Sequence, residues 1–272
     1  PQVDRSRLPH GHAVVADLNA ADADTTKLHH LMVGRSLQAE YYREPLQKPY
    51  RDEVILEADG LALGHAYSDV SFKLHAGEIL GIAGVIGSGR EELTRTLAGF
   101  APHDRGKLRI GGHDVKLTTP AEAVDLGMGY IPRERRVEGL VLFLPVAANI
   151  TLADLASLTR HGLIDSAEEK RLAKSWVERL KIRTPSINTL CLNLSGGNQQ
   201  KVVLAKWLSM RPRAIILDEP TRGIDVGAKY EIYEIINQLA ESGKAVIVIS
   251  SEMPELLGIS DRIYVMNEGR FV

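Results

Sequence analysis

Between Gly84 and Glu91 the chain reads Gly-Val-Ile-Gly-Ser-Gly-Arg-Glu, directly after the apolar run Ile79–Ala83 and directly before Glu92-Leu-Thr-Arg-Thr-Leu-Ala98. Strand, glycine-rich turn and helix form the context that a phosphate-binding loop requires. Glycines let backbone N–H groups point inward, and a helix N-terminus adds positive potential. Gly84 and Gly89 fit the two glycines of the G-x-x-x-x-G-K-[ST] pattern, with Gly87 and Ser88 in the turn between them. The next two positions depart from it, because Arg90 and Glu91 stand where lysine and a hydroxyl are expected. A planar guanidinium is not equivalent to a compact ammonium. Glu91 brings a negative charge to a place meant for a polyanion. Two like charges about 4 Å apart repel by about 4 kcal/mol at an effective dielectric near 20, and even half of that weakens binding more than tenfold. Alternatively, Glu91 simply favours the helix N-terminus, a stabilisation of roughly 0.3–1 kcal/mol.

A second stretch, Leu194-Ser-Gly-Gly-Asn-Gln-Gln-Lys201, opens a helix with the apolar face Val202, Val203, Ala205 and Leu208. Ser195 and the N–H groups of Gly196 and Gly197 are placed to bind a phosphate at that helix's N-terminus. Ser195 could be a plain N-cap, yet an N-cap needs no Gly-Gly after it. The third stretch is Ala214-Ile-Ile-Leu-Asp218-Glu219-Pro220-Thr221, an apolar strand ending in two carboxylates. An acidic strand end is unremarkable alone; its order after the other two stretches makes the set specific.

The elements that must position these groups alternate. Apolar strands are expected at Val54–Ala58, Ile79–Ala83, Lys107–Ile110, Met128–Pro132, Ala214–Leu217, Ala245–Ser250 and Arg262–Met266. Helices should start near Gly89, Pro120, Ser166, Gly196, Val226 and Glu252. Several strands are continuous Ile, Val and Leu, as in a sheet covered on both faces, and the alternation predicts an α/β fold with a largely parallel sheet. The stretch from about Val141 to Thr189 interrupts the rhythm and reads as a helical insertion. Residues 1–50 differ again, with His10, His12, His29 and His30, a helical stretch over Thr25–Tyr42, and then Pro45 and Pro49. No carboxylate or cysteine pattern accompanies those histidines, so a metal site is not expected there.

Composition narrows the class. Hydrophobic residues are 44% and charged residues 25% of the chain, which excludes disorder, and a net charge of −2 gives no reason to expect nucleic acid. No run reaches the roughly 18–20 apolar residues that cross a bilayer. The single cysteine, Cys191, is expected to be a small buried hydrophobe in a reducing compartment.

In this order the motifs resemble those of the ATP-binding-cassette (ABC) ATPases, with Gly84–Glu91 as Walker A, Leu194–Gln199 as the LSGGQ signature altered by Asn198, and Asp218-Glu219 as the end of Walker B. The resemblance covers nearly the whole chain. It implies the P-loop nucleotide-binding fold, with a mainly parallel core, an antiparallel β subdomain and an inserted helical subdomain over about 141–210. It further implies that Asp218 organises Mg²⁺ and that Glu219 polarises the attacking water on ATP. Asp225 takes the D-loop position. Arg133 stands where the family's Q-loop glutamine would be, and Ser251 stands at the switch-histidine position. The aromatic that stacks on adenine is missing, with Leu61–Leu63 in its region and Tyr67 a poor substitute nearby.

The chain is most similar to the C-terminal cassette of tandem monosaccharide importers of the ribose, galactose, xylose and arabinose type, in Leu194–Lys201, in Asp218–Lys229 and in the Ser250–Glu255 region. His29–Ser36 resembles the tail of a first cassette, so residues 1–50 are expected to be that tail and a linker, and 51–272 the second cassette. ABC cassettes pair head to tail, so the departures at Arg90, Glu91, Arg133 and Ser251 fall on this chain's own pocket, while the signature serves its partner's. The expected partners are the first cassette, integral-membrane permease subunits and, indirectly, an extracytoplasmic sugar-binding protein, with no nucleic acid. That implies a peripheral place on the cytoplasmic face of the inner membrane. The apolar run Gly139–Leu144 is the expected permease-facing surface. A regulatory nucleotide-binding module and a nucleoside or autoinducer importer remain as alternatives.

Overall fold

The two most apolar runs of the sequence lie side by side in the middle of a six-stranded sheet. In the computed structural model, which describes residues 50–272, strands β3 (Ile79–Gly84) and β10 (Ala245–Ser250) pair in parallel, and every residue of β10 is buried. With β6 (Met128–Ile131), β9 (Ala214–Asp218), β11 (Arg262–Asn267) and β12 (Arg270–Phe271) the order is β12-β11-β3-β10-β9-β6. All neighbouring pairs are parallel except β11–β12. Continuous β-branched strands fit such a sheet because both faces are covered.

A second sheet, β2-β1-β4-β5, is wholly antiparallel: β1 (Val54–Leu63), β2 (Tyr67–His75), β4 (Arg105–Ile110) and β5 (His113–Val115). Strand β2 is absent from the sequence expectation. Its buried residues Tyr67, Val70, Phe72 and Leu74 are interleaved with Asp69, Ser71 and Lys73, the alternation of a half-solvated strand. The expected strand at Val54–Ala58 runs on to Leu63, with an irregularity in its pairing between Ala58 and Leu61.

Helices start where expected. They are α1 (Arg90–Leu97), α2 (Pro120–Asp125), then α5 (Ser166–Arg179), α6 (Gly196–Ser209), α7 (Val226–Glu241) and α8 (Met253–Ile259), with α3 (Val146–Thr151) and α4 (Leu155–Leu158) inside the insertion. Caps explain several starts. Thr119 and Glu122 form a reciprocal capping box on α2, and Asp165 accepts from the Ala167 and Glu168 N–H groups to start α5. The insertion between β6 and β9 is helical, as expected, and also holds a small hairpin of β7 (Thr159–Arg160) and β8 (Leu163–Ile164). Buried Asn149 ties the loop before α3 to the helix, accepting from Val141 N–H and donating to the carbonyls of Val141, Leu144 and Pro145. Cys191 is fully buried, and burial pushes its thiol up to about 11, which makes it unreactive. Among the described residues no helix is long and apolar enough to cross a membrane. The expected segment 1–49, with its histidines and helical stretch, lies outside the described residues.

Candidate functional site

Strand β3 delivers the glycine loop to the end of the parallel sheet, and β9 delivers the acidic pair beside it, with β10 between them. Gly87 and Gly89 adopt left-handed backbone, with φ of 81° and 98°. At Gly89 a side chain is excluded outright, since a Cβ would lie 2.4 Å from the Ala66 carbonyl oxygen in the β1–β2 turn. That contact presses the turn onto the loop and fixes where α1 begins.

Arg90 does not reach into solvent. It is 1% exposed, and its Nη2 donates to Glu219 Oε1 at 2.8 Å. Its Nε lies 3.4 Å from Glu91 Oε1, and the same oxygen is 3.5 Å from Arg133 Nη1. The expected repulsion between Glu91 and a polyanion is therefore corrected by the structure: two guanidiniums flank that carboxylate and screen its charge. Glu219 is held from a second side, where the Ser251 N–H donates to the same Oε1 at 2.9 Å. Position 251 thus contributes a main-chain donor rather than a side-chain cation. Glu219 itself sits at φ 50°, a costly conformation for a non-glycine residue, kept by these bonds and by its N–H on the Ile249 carbonyl. Burial first, then the Glu219 charge, push Asp218 up to about 6. Burial and the Asp218 charge also push the Tyr130 phenol up.

The sequence-expected residues Arg90, Glu91, Arg133, Asp218, Glu219 and Ser251 thus converge on one pocket. Tyr67 does not join it, being buried with its hydroxyl on Thr96 Oγ1 at 2.9 Å, so it is no stacking surface for a base. The donors fit a phosphate chain. Ser88 Oγ, Arg90 Nε, Arg90 Nη1 and Arg133 Nε are buried without a hydrogen-bond partner, and phosphate oxygens are pure acceptors. The set favours a guanidinium over a divalent ion between its carboxylates. Magnesium needs free oxygen ligands in near-octahedral geometry. Here Glu91 Oε1 and Glu219 Oε1 already face guanidinium nitrogens, leaving Glu91 Oε2 buried without a hydrogen-bond partner, and among the described residues no group of three or more acidic, histidine or cysteine side chains is arranged to hold a metal.

The signature residues divide into two faces. Ser195, at the N-cap of α6, is exposed and makes no capping bond; its hydroxyl accepts from Asn198 Nδ2 at 2.9 Å. Gly196 and Asn198 are partly exposed beside it. Leu194, Gly197 and Gln199 are buried, and Gln199 Nε2 donates to the Cys191 carbonyl at 3.0 Å, so its role is to brace the preceding turn. The Gly-Gly has a packing cause. A Cβ on Gly197 would lie 2.5 Å from Ala228 Cβ on α7, and one on Gly196 would meet the Arg135 guanidinium and the Gly223 carbonyl. Gly197→Val should accordingly lower stability by roughly 2–3 kcal/mol, seen as an earlier urea midpoint with unchanged slope. Asp225 caps α7 by accepting from the Ala228 N–H at 2.9 Å.

Two supports lie outside the sequence expectation. Arg135 donates to the carbonyls of Arg222 and Gly223, joining the segment after β6 to the D-loop. Glu255, buried, accepts from Thr221 Oγ1 at 2.8 Å, and burial raises its carboxyl. The charge run Arg133–Arg136 was the one visible hint of the first.

Comparison with known proteins gives this geometry a family. The ABC transporter family pattern matches residues 67–222. The chain is 46% identical over 240 residues to the putative ribose/galactose/methyl galactoside import ATP-binding protein 1 of Agrobacterium fabrum, covering 88% of this chain and 47% of that protein. It is 42% identical over 267 residues to the ribose import ATP-binding protein RbsA of Bacillus subtilis, covering 98% and 54%. The chain therefore spans about half the length of these curated relatives. A nucleotide-free ATP-binding cassette from an ABC transporter superposes with a TM-score of 0.69 at 24% identity, over 80% of this chain and 90% of that one. A dimeric bacterial ABC transporter cassette does so with 0.67 at 22%, over 80% and 96%. At such identity these two likenesses establish the fold. With the loop, the acidic pair and the signature in place on that fold, this chain belongs to the ABC transporter family as an ATP-binding cassette.

Proposed function

We propose that this chain is the second cassette, residues 51–272, of a sugar importer's ATP-binding subunit, and that its main task is to complete the ATP site of a first cassette. The observation that carries this reading is the contrast between the two edges. In the chain's own pocket, Arg90 and the Ser251 N–H both hold Glu219 Oε1, so one of the two oxygens of the carboxylate expected to activate water is already engaged. At the other edge Ser195 stands open to solvent, and Gly196 and Asn198 partly so, at a helix N-terminus suited to a γ-phosphate held in another P-loop. ATP with Mg²⁺ then reacts in the pocket of the first cassette, and this chain supplies donors to it. Sugar uptake is inferred from the relatives, whose names give ribose and galactose import.

Residues 1–50 form the tail of the first cassette and the linker in this reading. The alignment of 267 residues with the B. subtilis protein, taking in nearly all of this chain, supports that assignment. An exposed apolar strip suits permease subunits. Val141 and Phe143 lie beside Leu190 and Leu192, the two segments being joined by Leu192 N–H on the Leu142 carbonyl at 3.0 Å and Cys191 N–H on the Leu144 carbonyl at 3.2 Å. In this reading the subunit lies on the cytoplasmic face of the membrane, reached through its permease and, beyond it, an extracytoplasmic sugar-binding protein. The expected result is that the isolated chain turns over ATP at least about 100-fold more slowly than the tandem protein, a difference of roughly 2.7 kcal/mol in barrier. A steady-state phosphate-release assay on both measures it, and comparable turnover by the isolated chain would refute the asymmetric reading.

A further inference from the structure

The Arg90 guanidinium sits where it faces carboxylates on both sides. Nη2 is 2.8 Å from Glu219 Oε1 and Nε is 3.4 Å from Glu91 Oε1, while Asp218 at the end of β9 lies within its electrostatic reach. This is the charge arrangement that a divalent ion has in a phosphate site: a cation lodged between carboxylates and ready to meet phosphate oxygens on its free side. Arg90 has such a side, for its Nη1 is buried without a hydrogen-bond partner, and the donors Ser88 Oγ and Arg133 Nε and the acceptor Glu91 Oε2 are in the same condition. A guanidinium keeps its charge at all working pH values. It also offers donors in a fixed fork that matches phosphate geometry. Glu91 fits the same account. A carboxylate in place of the metal-binding hydroxyl would oppose a bare polyanion, but with Arg90 and Arg133 on either side it anchors the guanidiniums instead.

We propose that this cassette's own pocket binds the polyphosphate of a nucleotide without a divalent metal, with the Arg90 guanidinium in the metal's place. The inference rests on reading Gly84–Glu91 as a phosphate-binding loop; it does not depend on the partnership with a first cassette. Arg90 bridges Glu219 and the phosphates, and Arg133 and Ser88 complete the donor set. A nucleotide held this way is retained and not consumed there, because Glu219 Oε1 stays paired with Arg90.

The test is calorimetric titration of this chain with ADP, which removes hydrolysis from the measurement, once in excess Mg²⁺ and once in excess EDTA. Dissociation constants within about threefold of each other are expected, since Arg90 already pairs with Glu91 and Glu219 where the ion would lie. A tenfold or greater loss of affinity in EDTA overturns the proposal, and so does the absence of ADP binding in both buffers. The double variant Arg90→Lys with Glu91→Thr restores the usual pair of side chains and should acquire a Mg²⁺ dependence of at least about tenfold. If that variant binds ADP as indifferently to Mg²⁺ as the parent, Arg90 is not the reason and the proposal fails. Transport by the tandem protein reads the partner role separately, so the two readings can fail independently.

Discussion

Ser195→Arg in the tandem protein should reduce sugar uptake by about 100-fold or more while leaving this domain folded. Ser195 is exposed and caps nothing, so the substitution should cost the fold no more than about 0.5 kcal/mol. At the signature edge, however, a long side chain replaces a small hydroxyl and covers the N–H groups at the start of α6. Losing charge-assisted bonds worth roughly 1.5–3 kcal/mol each is enough for the expected fall in rate. Arg90→Lys is the proper contrast. It keeps a cation beside Glu219, where leaving a buried carboxylate unpaired would cost about 3–5 kcal/mol and confuse stability with function. Uptake by Arg90→Lys should stay within about threefold of the parent. Equal losses in the two variants would show that both pockets carry turnover, and the asymmetric reading would fall.

The second large effect concerns pH. Asp218 has an ordinary value of 3.8 and is pushed up to about 6 in the folded chain, by burial and by Glu219. The fold therefore favours the neutral acid. Its unfavourable contribution is absent below about pH 4, grows as pH rises from 3.8 towards 6, and is complete above that. A shift near two units corresponds to roughly 3 kcal/mol at most. Asp218→Asn should thus stabilise the metal-free, nucleotide-free chain by about 2–3 kcal/mol at pH 8 and by almost nothing at pH 4. Urea unfolding of both proteins at the two pH values gives the answer. A difference that does not change with pH would mean that Asp218 is ionised throughout, with its charge compensated by Arg90 and Arg133.

Much of this was legible in the residues. The central strands announced themselves because a doubly covered parallel sheet needs unbroken apolar runs, as Ala245–Ser250 shows. Helix starts were marked by chemistry that acts locally, such as Thr119 with Glu122 and Asp165 before α5. Strand β2 was hidden because half of it faces water, and its alternation over Tyr67–His75 is interrupted by Ser68 and Asp69. At the site, the type of each residue was legible and its pairing was not. Arg90 and Glu219 are 129 positions apart, so nothing local tells that the guanidinium closes on that carboxylate. For the same reason Glu91 looked like a charge aimed at the ligand until the structure set Arg133 beside it.

Helix α6 is braced in each of its halves. Gln199 holds the turn at Cys191, whose neighbours Leu190 and Leu192 belong to the exposed apolar strip, and Lys206 holds the carbonyl of Gly139 at the strip's other border. The same helix starts at Ser195. A body pushed against the strip therefore cannot move it without carrying the serine along or breaking bonds that are buried from water. The helix is a rod of 14 residues, about 21 Å long, packed against α7 at Gly197 and Ala228, two residues beyond Ser195. A load on the strip would thereby reach the phosphate-facing end through one rigid element, with no change in the chemistry of either end.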